Sequence, residues 1–139
     1  MEALLFHDTA KMDVHAAIVM PDHAHLVCTL YWDRGGELIR LSELMQSIKG
    51  YSAFAIKKKL KMKGHVWLDE SFDHVIRNFE GIDAKCDYLK MNPVRRGLVK
   101  DPLKYRWLYA EDMVDWNENM GEDNKPLPAL KVWQKKWQA

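Results

Sequence analysis

The stretch His15-Ala16-Ala17-Ile18-Val19-Met20-Pro21-Asp22-His23-Ala24-His25-Leu26-Val27-Cys28-Thr29-Leu30-Tyr31-Trp32 decides how the rest of the chain is read. Two runs rich in Val, Ile and Leu, His15–Met20 and His25–Tyr31, flank Pro21-Asp22, a turn initiator. That pattern predicts two short strands joined by a tight turn. On a strand, residues two apart share a face, so the imidazoles of His23 and His25 can converge on one ion. The apolar neighbours Ile18, Val19, Leu26 and Val27 would hold such a pair rigidly. The same two histidines, flanking a turn, can equally well face solvent.

Outward from this hairpin, helical and extended patterns alternate. After Gly35-Gly36, the residues Leu41, Leu44, Met45, Ile48, Tyr51 and Ala55 recur at spacings of three and four, which predicts a helix with Ser42 as its N-cap. The lysines between Lys57 and Lys63 finish that helix, where positive charge suits the dipole. Val66–Leu68 and Phe72–Arg77 are β-favouring and read as extended. Ile82, Cys86 and Leu89 predict a second helix from about Glu80 to Met91, with Pro93 setting its limit. Gly97 then turns the chain into an extended Leu98–Ala110, an acidic stretch follows, and Leu130, Trp133 and Trp137 predict a short terminal helix. Strands and helices mixed in this way indicate an α+β domain, an antiparallel sheet with helices packed on it. The domain is placed at residues 1–110, with 111–139 an acidic linker and a short C-terminal segment.

Composition narrows the class. A chain of 139 residues, 47% hydrophobic and 29% charged, fits one globular domain and not a disordered one. No apolar run approaches the ~20 residues of a membrane span, and the first residues lack the basic and apolar regions of a secretory signal. Cys28 and Cys86 form neither a disulfide framework nor a paired zinc motif, so a reduced, cytosolic compartment is expected. The net charge of +1 argues by itself against nucleic acid, but its distribution does not. Arg40–Lys63 carries seven bases against Glu43, and Lys85–Arg106 carries seven against Asp87 and Asp101. Six acids between Glu111 and Asp123 balance them. Two basic segments in such a chain can build a local positive face.

Further constellations carry chemistry. Tyr88 and Asn92 lie four apart, hence on one helix face. A tyrosine can serve as covalent nucleophile and an amide oxygen can reach a metal; a half-buried tyrosine beside a helix-ending Asn-Pro is the plainer account. His74 reads as a third ligand, a phosphate contact or a structural histidine. The basic runs, with Tyr51, Phe54, Tyr105 and Trp107 among them, can track a phosphate backbone and stack bases, or simply solvate a helix. Gln46 with Lys49, and Arg95 with Arg96, are candidate DNA contacts, and Lys57 and Arg77 complete the candidate set with His74.

In order, Ile18-Val19-Met20-Pro21-Asp22-His23-Ala24-His25-Leu26-Val27, then Leu41–Lys49, then Trp67 and Phe72-Asp73-His74-Val75-Ile76-Arg77, then Tyr88-Leu89-Lys90-Met91-Asn92-Pro93-Val94-Arg95-Arg96-Gly97-Leu98-Val99 resemble the REP-associated tyrosine transposases, members of the HUH single-strand transposases. The likeness runs from about His15 to Tyr109. It implies a ferredoxin-like α+β fold with an antiparallel sheet. It implies a divalent metal, Mg²⁺ or Mn²⁺, bound by His23 and His25 and completed by Asn92, with Tyr88 as nucleophile. It also implies nicking and rejoining of single-stranded DNA beside hairpins, REP-like palindromes, through a 5′-phosphotyrosine, at the bacterial nucleoid in the cytoplasm. Two other readings stand beside it: a catalytically inactive or domesticated hairpin-binding module, and a phosphodiesterase using metal-bound water.

The chain departs from these relatives at its start. They carry an aromatic, Thr-rich first strand, and Met1–Val14 does not resemble it. Its loss would leave backbone donors and acceptors exposed along neighbouring strands. Three explanations are open: a truncated reading frame, replacement by another segment such as Val132–Trp137, or strand exchange in a homodimer.

Overall fold

In a computed structural model that describes residues 1–138, the hairpin read from sequence is the centre of the sheet. Strand β1 (Met12–Val19) pairs antiparallel with β2 (Ala24–Leu30), with Val19 opposite Ala24 and Met12 opposite Leu30. The turn between them is closed by a hydrogen bond from the Met20 amide to the His23 carbonyl at 2.8 Å. A third strand, β3 (Leu108–Ala110), joins the other side of β1, giving the order β2-β1-β3. The expected α+β architecture with an antiparallel sheet is therefore present.

A bulge in β1 divides the core in two. The register shifts between Val14 and Ala16, leaving His15 as the extra residue. An extra residue reverses the alternation of side chains. Met12 and Val14 before it, and Ala17 after it, face one layer; Ala16, Ile18 and Met20 face the other. His15 itself is held between the Thr29 hydroxyl (Nε2, 2.8 Å) and Glu111 (Nδ1, 3.1 Å).

The first layer contains α1 (Glu2–Leu5), α2 (Leu41–Leu60) and α4 (Ala129–Gln138). Leu4, Leu5, Leu44, Ile48, Val132 and Trp133 pack there against β1. The second layer is α3 (Phe79–Arg95), whose Leu89 meets Ile18 and Leu108. Each fully buried Leu or Ile contributes about 2 kcal/mol. Among the described residues no helix is long and apolar enough to cross a membrane.

Four expectations need correction. Ser42 does not cap α2: the N-cap position is Arg40, with no side-chain hydrogen bond. Pro93 does not limit α3, which runs on to Arg95. A proline removes one helical hydrogen bond, and Pro93 lies fully buried in the core, where its burial offsets that loss. The helix stops instead at Gly97, whose φ of 70° is left-handed. There the Leu98 amide reaches the Pro93 carbonyl and the Gly97 amide reaches Val94, each at 2.9 Å, the paired closure that glycine permits. Val66–Leu68 and Phe72–Arg77 form no strand, because among the described residues no neighbouring strand pairs with them and Leu68, Phe72 and Val75 remain exposed. Val132–Trp137 lies within α4 and supplies no replacement strand.

Candidate active site

The two histidines stand at the mouth of β2, one on the turn and one in the strand. Their rings meet edge to face, centroids 4.8 Å apart. His25 lies opposite Ile18 and shares the β2 face of Val27, which packs in the α3 layer. Asp22 accepts a hydrogen bond from His23 Nδ1 at 2.6 Å, which leaves Nε2 as the free lone pair. Burial, and then the neighbouring His23, hold the His25 pKa below its ordinary value, so His25 is neutral and able to donate a lone pair at neutral pH.

Helix α3 brings the second group. Its start is set by Asn78, whose side chain accepts from the Gly81 amide at 2.8 Å. Leu89, Asn92, Pro93 and Arg96 then fall at i, i+3, i+4 and i+7, one stripe turned toward the sheet. Asn92 is only 8% exposed, and its side chain makes no hydrogen bond to another described residue. Arg96, one turn further on, pairs with Asp22 at 3.0 Å, fastening this end of α3 to the histidine turn. Tyr88 lies at the edge of the stripe and is 59% exposed, open to a large substrate. The Arg95 guanidinium covers its ring, 4.0 Å from the centroid, and donates to the Tyr88 carbonyl at 2.6 Å. Exposure and orientation coexist at this tyrosine.

The donor set fits a divalent cation. Among the described residues no three His, Cys, Asp or Glu side chains converge, so His23 and His25 are the pair that could hold such an ion. Asn92, on the sheet-facing side of α3, could add an amide oxygen. Two imidazoles and one amide favour Mn²⁺ over Mg²⁺ in intrinsic affinity.

The remaining candidates are dispersed. Gln46, Lys49 and Lys57 are on α2, whose buried residues belong to the opposite layer of the sheet. Lys49 is already engaged, donating to the carbonyls of Leu68 (2.8 Å) and Glu70 (3.3 Å). His74 and Arg77 lie exposed in the irregular segment before α3. Asp22 was not among the candidates. A carboxylate adjacent to a candidate ligand histidine was its signal, since such partners fix the imidazole's tautomer.

Two known proteins are similar to this chain, one in its antiparallel α+β fold and one in sequence. The solved structure of a REP-associated tyrosine transposase bound to a REP hairpin shares the fold, with a TM-score of 0.59 and 21% identity, over 90% of this chain and 67% of that one. In sequence, the chain is 30% identical over 88 residues to the REP-associated tyrosine transposase of Escherichia coli (strain K12), a match covering 63% of this chain and 48% of that protein. The chain thus spans about half the length of the curated relative it matches. No family model matches the chain. The resemblance read from the motifs is borne out in sequence and in fold.

Proposed function

We propose that this chain is a metal-dependent single-stranded DNA transposase and endonuclease that nicks and rejoins DNA near hairpins through Tyr88. The observation that carries the reading is that His23 and His25, ring centroids 4.8 Å apart, sit where the Asp22–Arg96 ion pair ties the turn to the end of the helix bearing Tyr88 and Asn92. The likeness to transposases, one of them bound to a REP hairpin, supports hairpin DNA as the substrate.

In this reading His23, His25 and Asn92 would hold the cation. When bound, it acts as a Lewis acid on the scissile phosphate and orients it. Tyr88 does the bond-making. Its Oη attacks phosphorus, the P–Oη bond forms and the bond from phosphorus to the 3′-oxygen breaks. The phenolic proton passes to solvent and the departing oxygen takes a proton, leaving a 5′-phosphotyrosine and a free 3′-hydroxyl. The phosphodiester energy stays in the covalent link, so the reverse attack rejoins the strand without an external energy source. Arg95 keeps the phenol oriented, and Asp22 fixes the His23 tautomer so that Nε2 would carry the lone pair for the cation.

Incubation with a single-stranded hairpin oligonucleotide and Mn²⁺ should give a protein band shifted by covalent DNA on a denaturing gel. Tyr88→Phe should abolish it. Cleavage that survives Tyr88→Phe without any adduct would favour hydrolysis by metal-bound water. Salt-sensitive binding with no adduct under any metal would favour the binding module.

A further inference from the structure

Across the sheet from Tyr88, the middle of α2, from Gln46 to Lys57, and residues 65–69 line an open groove of about 350 Å³ that the reading above leaves without a role. We infer that this groove binds one unpaired nucleotide of the DNA strand, its base against Trp67 and its phosphate toward Lys57 and His65. The inference rests on the proposed function for the nature of the polymer, and adds where a base outside the reacting bond is held.

Size comes first. The volume falls at the small end of the range for ligand pockets, about 300–1,000 Å³, and suits a single base with its sugar. The floor is made of Gly50 and Ala53 on α2. A Cβ added at Gly50 would meet nothing within 4 Å, so the space above that position is open. Small residues on a floor leave room for a flat group.

The wall is an aromatic that is already fixed. Trp67 is half-buried, and its Nε1 donates to the Ser52 hydroxyl at 2.9 Å. Ser52 in turn donates to the Ile48 carbonyl at 2.6 Å, anchoring the indole to α2. Lys49 ties down the segment that carries Trp67 through its two carbonyl contacts at residues 68 and 70. A ring immobilised before binding loses little freedom when a base stacks on it. Trp67 has no partner ring among the aromatic pairs of the described residues, unlike Trp107 and Trp133, which stack on each other.

The rim supplies the charge. Lys49, Lys57 and His65 border the groove against one acid, Asp69, and Lys57 makes no ion pair among the described residues. An aromatic wall with a cationic rim is the arrangement by which single strands are held without sequence readout, each stacked base contributing roughly five- to a hundredfold in affinity. An acidic or purely apolar ligand would use only half of the groove.

The test is fluorescence anisotropy at fixed salt, with labelled oligothymidylate and with an abasic backbone of the same length and charge. The wild-type chain is expected to bind oligothymidylate about tenfold more tightly than the abasic strand. Trp67→Ala and Gly50→Leu should erase that preference while leaving abasic binding unchanged, and Trp67→Phe should retain most of it. Where Trp67→Ala does not fold, Gly50→Leu carries the test alone, since leucine suits a helix and only fills the open floor. A wild-type chain without the preference, or variants that keep it, overturns the inference. If hairpin DNA still forms the Tyr88 adduct in that case, the groove inference alone has failed. If no DNA is bound and no adduct forms, the transposase reading has failed with it.

Discussion

Arg96 pairs with Asp22 across 74 residues of sequence, and through it the tyrosine helix is joined to the histidine turn. Asp22 holds both partners at once: its carboxylate accepts from His23 Nδ1, and this bond, followed by the Arg96 charge, keeps its pKa below the usual carboxylate value. The link makes the orientation of His23 depend on the position of α3. Replacing Asp22 by Ala is expected to lower the yield of the DNA–protein adduct about tenfold or more, as loss of such outer partners does at metal sites. The melting temperature should hardly move, because exposed ion pairs contribute little to folding. A normal adduct yield from Asp22→Ala would remove the link from the account.

Arg95 tests orientation rather than charge. Its planar guanidinium covers the Tyr88 ring and also grips the Tyr88 carbonyl. Arg95→Lys keeps the charge but loses the planar stack. Adduct formation in Arg95→Lys should fall nearly as far as in Arg95→Ala, while binding of uncleaved hairpin by Arg95→Lys stays near wild type. If Arg95→Lys restores full adduct yield, charge alone is what matters there.

Two glycines make a paired stability test. In an exposed helix interior, Gly→Ala stabilises by about 0.5–1 kcal/mol, and Gly50→Ala should do so because its Cβ meets nothing. Gly81→Ala should do the opposite. Its Cβ would sit 2.7 Å from both the Asn78 Oδ1 and the Ile76 Cγ2, displacing the cap of α3. The expected loss is about 1 kcal/mol, the value of an N-cap. Urea denaturation of the two variants reads both signs, and equal shifts would contradict the packing described for α3.

Acid should weaken the fold through one buried histidine. His7 is buried, with Nε2 3.0 Å from the Ser47 hydroxyl; desolvation first, and Lys11 second, hold its pKa below 6.5. Unfolded, it protonates at the ordinary value, so below pH 6.5 the unfolded chain binds more protons than the folded one. Stability is therefore unaffected above that pH, falls as the pH drops through it, and levels off below the folded pKa. Denaturation followed from pH 7.5 to 5 should show the slope, and His7→Gln should flatten it. An unchanged slope would place the acid sensitivity elsewhere.

The two thiols should be slow to react. Burial pushes Cys28 up to about 11, and burial, with Asp112 next, pushes Cys86 up to about 11. The thiolate is the reactive form, so at pH 8 both should react with a thiol reagent far more slowly in the folded chain than in urea. Equal rates in the two states would contradict the packing of Cys28 against the α2 layer and Cys86 against β1.

What the sequence discloses is local. The hairpin around Pro21-Asp22, the stripe on α2 and the Tyr88–Asn92 spacing are all patterns within one element; the α2 stripe meets the core only as far as Ile48, with Tyr51 and Ala55 exposed. The bulge at His15 left no mark, because it depends on which residue of β2 pairs with Val14. Strand β3 is three residues long and gains its identity from β1, not from its own composition. Pro93 misled because the rule for proline counts a lost hydrogen bond and not the burial that offsets it. The Asp22–Arg96 bond and the Trp67–Ser52 bond join separate elements, so no spacing announces them. Phe72 and Val75 look like strand residues, yet a strand requires a neighbour, and among the described residues none pairs with them.

The central claim is that Tyr88 forms a covalent bond to DNA, and peptide mapping of the adduct tests it most directly. After incubation with a single-stranded hairpin oligonucleotide and Mn²⁺, followed by nuclease and protease digestion, mass spectrometry should find a nucleotide phosphate on the peptide containing Tyr88 and on no other. A nucleotide on a different residue, or cleaved DNA with every peptide unmodified, would contradict the account.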